Sequence, residues 1–386
     1  MSNGWTGGQY SVFRVLLGVY AAAMLLSVVW RSEQLAVQGI AVVGAMLCVP
    51  MMLGWRDRWA AMGLLLACVV SVSSDVEGPA GGIPPLLVVV HFLLLRQAGV
   101  APYGSLDAVG RVDPDGGWRF PPRLFAVVWL LLGGFYLYMG VVLLRDESWR
   151  LAEALFYAGG QWAVLPWGGT MPAWLGRGLT WLLLGTWLAF APLALARRTR
   201  QLAWTLTLGV NLLVLPLAGQ GALAAGLAVA HLLAFDPAWL PARRMRERRQ
   251  PAQSETLFFD GHCGLCHRWV RFVLAEDRAG DLFVLAPLDS DHFRQSVPAS
   301  VRDRLPDSVV VRRADGELLT RSAAVLHILD RLGGLWRVAG WIGQGVPAGV
   351  RDAAYDGVAA VRRRLFASPA DACPMMPPGL RGRFRM

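Results

Sequence analysis

From residue 11 to residue 235, apolar residues come in blocks, many near the roughly 20 residues that a bilayer span requires, broken by short pieces rich in arginine, proline or glycine. The blocks fall at about 11–29, 35–53, 59–74, 83–95, 124–144, 173–196, 201–217 and 219–235, the fourth of them short. This pattern predicts a polytopic α-helical membrane bundle of about eight spans. The first block has no basic stretch ahead of it, carries Arg14 and lacks a small-residue cleavage site before the next block, so it reads as a retained helix. The stretch 151–167 is apolar but interrupted by Gly159 and Gly160. It fits an interfacial, a re-entrant or a spanning segment, and the last would reverse the parity of the topology.

After Pro237 and Pro241 the pattern changes. Arg243, Arg244, Arg246, Arg248 and Arg249, followed by a polar stretch, read as a juxtamembrane linker able to lie against anionic lipid headgroups. Beyond it, 256–260 reads as a buried strand, and Cys266, Trp269, Val270, Val273 and Leu274 form a helical stripe. Strands are predicted at 282–285 and 308–311, the second turning at Ala314-Asp315-Gly316 into 317–320. A helix over 322–332 ends at Gly333 and Gly334. Strand, helix, strand, hairpin, helix is the order of an α/β thioredoxin-like domain. The expected layout is therefore a transmembrane domain at 1–240, a basic linker at 241–255 and the thioredoxin-like domain at 256–386.

Composition agrees with this division: 55% hydrophobic residues and 17 tryptophans do not describe a soluble protein. The net charge of +10 comes from arginine alone, since the chain has no lysine, and this excludes a lysine base or Schiff base. A basic balance also suits nucleic acid, but the arginines cluster between apolar blocks, where the positive-inside rule accounts for them. With both termini cytoplasmic in a bacterial-type inner membrane, the inside loops hold fourteen: Arg56, Arg58, Arg96, Arg111, Arg119, Arg123, Arg197, Arg198, Arg200 and the five of the linker. The outside loops hold four, Arg31, Arg145, Arg150 and Arg177. Lipids, and not nucleic acid, are the partners this predicts.

Five cysteines are too few and too scattered for a disulfide scaffold. Cys263-Gly264-Leu265-Cys266 lies where a buried strand hands over to an amphipathic helix. The first thiol is then expected to be exposed at the helix N-terminus, where unpaired N–H groups and the helix dipole favour a thiolate, and the second to lie one turn in, partly buried. Cys263 is the expected nucleophile and Cys266 the resolving thiol. His262, His267 and Arg268 add positive charge nearby or are solvated helix-start residues. Pro306 stands where thioredoxin-like folds set a proline loop against the disulfide, or is a turn proline. Three other readings of the motif were weighed: CxxCH attachment of haem, zinc held by Cys263, Cys266, Cys373 and His267, and cysteines used only for packing. The first needs an exported domain, the second normally shows two separated ligand pairs, and the third fits poorly with a pair that opens a helix. No metal is expected.

The run Phe259-Asp260-Gly261-His262-Cys263-Gly264-Leu265-Cys266, with Ala286-Pro287-Leu288, Pro306-Asp307-Ser308-Val309-Val310, Arg321-Ser322-Ala323-Ala324, Leu332-Gly333-Gly334, Tyr355 and Cys373, resembles the DCC family of thiol-disulfide oxidoreductases. The resemblance implies a redox-active dithiol of Cys263 and Cys266, an accessory-acid or structural role for Asp260, and Cys373 packed close by. Phe13-Arg14-Val15-Leu16-Leu17-Gly18, Tyr103-Gly104-Ser105-Leu106-Asp107, 136–140 with Trp149, and Phe235-Asp236-Pro237 resemble the HTTM membrane domain shared with vitamin K-dependent gamma-carboxylases. Leu143, Leu144 and Arg145 occupy the stretch where those enzymes carry a lysine, so carboxylase chemistry does not follow.

Inside lipid, Arg14, His91, Asn211 and His231 are costly unless they face a cavity or a partner. Each marks a candidate site for a quinone-like or lipid-like ligand, or makes a single interhelical hydrogen bond. Two functions follow as expectations. One is a membrane-bound oxidoreductase acting on a disulfide-bearing protein or a small thiol, in the reductase direction because cytoplasmic dithiols rest reduced, with the membrane domain localising it or relaying electrons through a lipophilic cofactor. The other is a membrane ligand-binding or transport module with a redox-sensing C-terminal domain.

Overall fold

The computed structural model describes residues 3–73, 80–151, 172–242, 255–365 and 378–386. Its contacts divide the chain into two compact units, one built mainly from 11–99 and 120–235, the other from 4–10, 100–119 and 236–386. The expectations at 152–167, in the basic linker and at Cys373 lie outside the described residues.

The first unit is helical. Its elements are α1 (Gly7–Arg31, whose start belongs to the second unit), α2 (Leu35–Leu53), α3 (Asp57–Val72), α4 (Ile83–Ala98), α5 (Pro122–Arg145), a single turn α6 (Glu147–Arg150), α7 (Ala173–Leu195), α8 (Arg200–Leu217) and α9 (Gly221–Ala234). Prolines at the first positions of α4 and α5 start those helices where a missing N–H costs nothing. Gly54, with φ 64°, ends α2 in the left-handed conformation that only glycine adopts freely. All eight apolar blocks are helical, but eight spans are not borne out. Among the described residues, four helices, α1, α2, α5 and α7, are long and apolar enough to cross a membrane. At 1.5 Å per residue, the 16 residues of α3 or α4 reach only about 24 Å of a core about 30 Å thick. α9 is shorter still at 14 residues, and α8 opens with Arg200 and Gln201. Outward faces are apolar, with Leu26, Met46, Leu66 and Leu130 exposed, while Arg14, Asp57 and His91 are buried. Such inversion suits lipid as the surrounding medium.

The second unit holds a mixed four-stranded sheet: β1 (Glu255–Phe259), β2 (Phe283–Pro287), β3 (Val310–Arg312) and β4 (Leu318–Thr320), in spatial order β2-β1-β3-β4. β1 and β2 are parallel, with Leu257 opposite Leu285, whereas β3 runs antiparallel to both its neighbours, with Val311 opposite Leu257 and Leu319. Every residue of β1 is buried, as a central strand covered on both faces must be. Its alternation sends Leu257 and Phe259 into one core and Phe258 into the other. The first core takes Val270, Val273 and Leu274 from α10 (Gly264–Glu276) and Ile328 from α13 (Arg321–Leu332); the second takes Phe293 from α11 (Asp291–Ser296). β3 begins at Val310, two residues later than expected, because Val309 N–H donates to the Tyr355 hydroxyl (2.9 Å) instead of a strand partner. Gly333 ends α13 at φ 76°, where a Cβ would meet Ala242 N at 2.6 Å. The remaining helices are α12 (Ala299–Arg302), α14 (Gly334–Gln344), α15 (Ala348–Leu365) and α16 (Pro378–Arg381). After α16, the final residues pair along the free edge of β2, with Arg385 N donating to Leu285 O (2.9 Å).

Segments 4–10 and 100–119, which hydropathy groups with the apolar blocks, are tied into this unit by two residues at the end of α10. Glu276, fully buried, accepts from Thr6 Oγ1, Gly8 N (2.9 Å) and Trp336 Nε1. Arg278 donates to Asp115 Oδ1 (2.9 Å), Trp5 O (2.9 Å) and Trp118 O (2.8 Å). Glu276→Leu would strand three donors, and a buried donor left unsatisfied costs about 1–3 kcal/mol. The full chain in lipid nanodiscs should then lose about 3 kcal/mol or more in chemical denaturation, whereas the exposed Asp315→Ala should stay within about 0.5 kcal/mol of the parent. Equal midpoints for the two variants would contradict this role of Glu276.

Candidate functional site

β1 delivers the chain to Asp260, whose Oδ1 accepts from His262 N (2.9 Å) while its carbonyl accepts from Cys263 N (3.3 Å). This side-chain-closed turn sets Cys263 in an extended conformation (φ −101°, ψ 116°) as the N-cap of α10. Cys263 Sγ accepts from Cys266 N–H at 3.3 Å, the place a serine or aspartate oxygen takes in an ordinary cap. A sulfur there faces unpaired N–H groups and the positive end of the helix dipole. Cys263 is only 3% exposed, not exposed as the sequence suggested, because its sulfur turns in to cap α10, while Cys266, one turn along, is half-buried as expected; both carry free thiols.

The pair is asymmetric. Burial pushes the Cys266 thiol well up, and the hydrogen bond with Cys263 and the charge of Cys263 add to the shift; the Arg362 guanidinium partly offsets them. Arg362 comes from α15 with its side chain 3% exposed. It donates to Asp307 Oδ1 (2.5 Å) and stands 3.6 Å from Asp260 Oδ2, so it bridges the loops that leave β1 and enter β3. Burial alone would lower its affinity for a proton, but the Asp307 hydrogen bond, followed by the charges of Cys266, Asp307 and Cys263, holds it above the usual arginine value. Sequence reasoning missed this residue, because Arg362-Arg363-Arg364 reads as a solvated basic run on a helix.

The neighbours of the pair have separate duties. His267 donates its Nε2–H to Gly261 O (2.7 Å) and stands edge-on to Phe259, which fastens the turn to the helix. His262 is exposed, 3.6 Å from Asp289. Pro306 is half-buried in the loop before β3, and all peptide bonds among the described residues are trans. Val309, three residues on, lines the cavity beside the dithiol; Pro306 is not one of its lining residues. That cavity, about 370 Å³, has Cys266, Trp269, Phe272, Val325, Tyr355 and Arg362 in its walls. Among the described residues, no group of three or more His, Cys, Asp or Glu is placed to hold a metal ion.

In the helical unit the four polar candidates fall into two clusters. Asp57 accepts from His91 Nε2 (2.9 Å) and faces Arg14 Nη1 (3.5 Å), and Arg14 also donates to Met52 O. Asn211 donates to the Tyr136 hydroxyl (2.6 Å) and accepts from Trp187 Nε1 (2.8 Å), while His231 Nδ1 lies 2.9 Å from Leu227 O and 3.3 Å from the Tyr136 hydroxyl. Asp57 and Trp187 are partners that the sequence did not single out, whereas Tyr136 opens the 136–140 motif noted above; Asp57 sits beside Arg56 and Arg58 and reads there as a loop residue.

Residues 257–368 match the family model described as DCC1-like thiol-disulfide oxidoreductase. A protein of Bacillus subtilis (strain 168), described as uncharacterized protein YuxK, is 30% identical over 133 residues, which is 34% of this chain and 93% of that protein. The chain belongs to the DCC1-like thiol-disulfide oxidoreductase family. Membership rests on the C-terminal unit and gives this chain a thiol-disulfide redox role. No solved structure matches the chain.

The raised Cys266 thiol has a direct consequence. In Cys263→Ser full-length protein, where burial still raises the Cys266 thiol, alkylation of Cys266 by iodoacetamide should show no plateau near neutral pH and should still be rising above the ordinary thiol value of about 8.5. Quantitative mass spectrometry of the alkylated peptide reads the rate. A plateau near neutral pH would show that burial does not hold this thiol protonated.

Proposed function

We propose that the C-terminal unit is a thioredoxin-like dithiol oxidoreductase in which Cys263 attacks and Cys266 resolves, carried by an HTTM-like membrane domain. The observation that carries the reading is the capping of α10 by Cys263 Sγ, with its hydrogen bond from Cys266 N–H. The sheet order β2-β1-β3-β4 with β3 antiparallel supports the fold assignment. In the reaction, the Cys263 thiolate attacks one sulfur of a substrate disulfide and expels the other as a thiolate, which takes a proton. Cys266 then loses its proton and attacks Cys263 Sγ, releasing the second substrate thiol. One disulfide is reduced to two thiols while Cys263 and Cys266 become a disulfide, and a cellular dithiol or thiol reductant restores them. In this reading Arg362 holds positive charge beside the exchanging sulfurs, and Asp260, which faces it at 3.6 Å, is the accessory acid or structural residue.

The reading includes a bacterial inner membrane with both termini cytoplasmic, supported by the distribution of arginines. The reductase direction follows from that location, because the cytoplasmic thiol poise keeps an ordinary dithiol reduced. The substrate is a disulfide on a protein or a small molecule. The helical unit anchors the dithiol in the lipid; a quinone-like cofactor there, in its reduced quinol form, would supply the two electrons and two protons that return the oxidised pair to a dithiol. What favours keeping this second role is that His231 Nε2, a buried atom of one polar cluster, has no hydrogen-bond partner among the described residues.

With oxidised glutathione as substrate, Cys266→Ser in the full chain should accumulate a glutathione adduct on Cys263, visible as an intact-mass increase removed by dithiothreitol. Cys263→Ser should accumulate no adduct on Cys266. Adducts of equal yield on either cysteine would contradict the assignment of nucleophile and resolving thiol.

A further inference from the structure

The cavity beside the dithiol has features that the exchange reaction does not require. Its volume of about 370 Å³ lies within the roughly 300–1,000 Å³ of small-molecule sites. The Trp269 and Phe272 rings, 5.1 Å apart, form an aromatic wall, with Val325 and Val358 also among the lining residues. Cys266 is part of the lining and Cys263 is not, so anything seated there lies against Cys266, whose own N–H reaches Cys263 Sγ at 3.3 Å. Two of the lining side chains keep a buried N–H that has no acceptor among the described residues: Trp269 Nε1 and Arg362 Nε. No aspartate or glutamate lines the space, whereas Arg268 and Arg362 both do. A wall that is aromatic, basic and short of acceptors is complementary to an apolar body bearing an anionic oxygen.

We infer that this cavity seats a small disulfide substrate whose body is aromatic or otherwise apolar and carries a carboxylate. The inference rests on the dithiol reading above and names the substrate class for it. The carboxylate supplies the acceptors that Trp269 and Arg362 lack, and its body brings the disulfide to Cys263 and Cys266.

Two measurements on the full chain in lipid nanodiscs test it. In the first, the Cys263→Ser/Cys266→Ser protein, which has no chemistry, is titrated calorimetrically with 2-naphthoate. In the second, reduced protein is mixed with dithiobis(nitrobenzoate) or with hydroxyethyl disulfide, and each rate is divided by the rate of the same disulfide with free glutathione. We expect naphthoate to bind at least about tenfold more tightly than naphthalenemethanol, and the aromatic dicarboxylate disulfide to be favoured by at least about tenfold in normalised rate. Both preferences should collapse in Val358→Trp, which fills the cavity from a half-exposed position on α15. Hydroxyethyl disulfide reduced as well as the aromatic one, with no naphthoate bound, would overturn the inference and leave the dithiol reading intact. Naphthoate bound while neither disulfide is reduced would overturn the dithiol reading, and with it the substrate role of the ligand. Preferences unchanged in Val358→Trp would place the selectivity elsewhere and overturn the inference as well.

Discussion

A sulfur atom used as a helix cap is the interaction on which the functional unit turns. Cys263 Sγ stands where the first backbone N–H groups of α10 look for an acceptor, and it receives one of them. Holding it there requires a rigid entry. β1 is buried along its whole length and paired on both sides, so its end is fixed in register. The Asp260 turn then reverses the chain within three residues, and His267 locks the first turn of the helix back to Gly261. Each contact is modest alone, at about 1 kcal/mol net for a typical hydrogen bond. Together they leave Cys263 a single place to stand.

Arginine supplies all of the basic side chains, and this shapes how charge is buried. A guanidinium holds a carboxylate with several donors in a fixed fork and is weakly hydrated enough to be taken inside, which an ammonium tolerates less well. Arg383 on Asp277, Arg337 on Asp330 and Arg331 on Glu255 follow this pattern within the unit, as does Arg14 on Asp57 in the helical one. Arg362 differs in position because its two carboxylates flank the dithiol. In the proposed exchange its charge acts where a thiolate forms and is displaced, and it opposes the burial that raises the Cys266 thiol. An attacking sulfur at a helix start and a resolving sulfur held as a thiol are what an ordered two-step exchange needs.

Much of this was legible from local pattern. Periodicity located all eight helical blocks and the four strands within a few residues, since those signals depend on neighbours in the chain. The CxxC was expected at a strand-to-helix junction, and the structure has it there, with Cys263 as the N-cap of α10. The span count went astray because hydropathy measures apolarity, and whether a helix crosses the bilayer also depends on length: α3, α4 and α9 are apolar but short. What the pattern could not show were contacts between distant segments. Arg362 reads as one arginine of a basic run until the fold brings Asp307 and Asp260 to it, and Asp57 looks like a loop acid until α1 and α4 bring Arg14 and His91 to it. Glu276, inside an unremarkable helix end, gathers Thr6, Gly8 and Trp336 from opposite ends of the sequence.

The central claim is that Cys263 and Cys266 form one reversible redox couple. Equilibrating the full-length protein in nanodiscs across a series of reduced and oxidised dithiothreitol ratios, then trapping free thiols with a mass-tagged maleimide, measures it directly. The account predicts a single two-electron transition in the wild type that loses two thiols together, and no such transition when either Cys263 or Cys266 is replaced by serine. Thiols at both positions that remain free across the whole series, or that oxidise independently of each other, would contradict it.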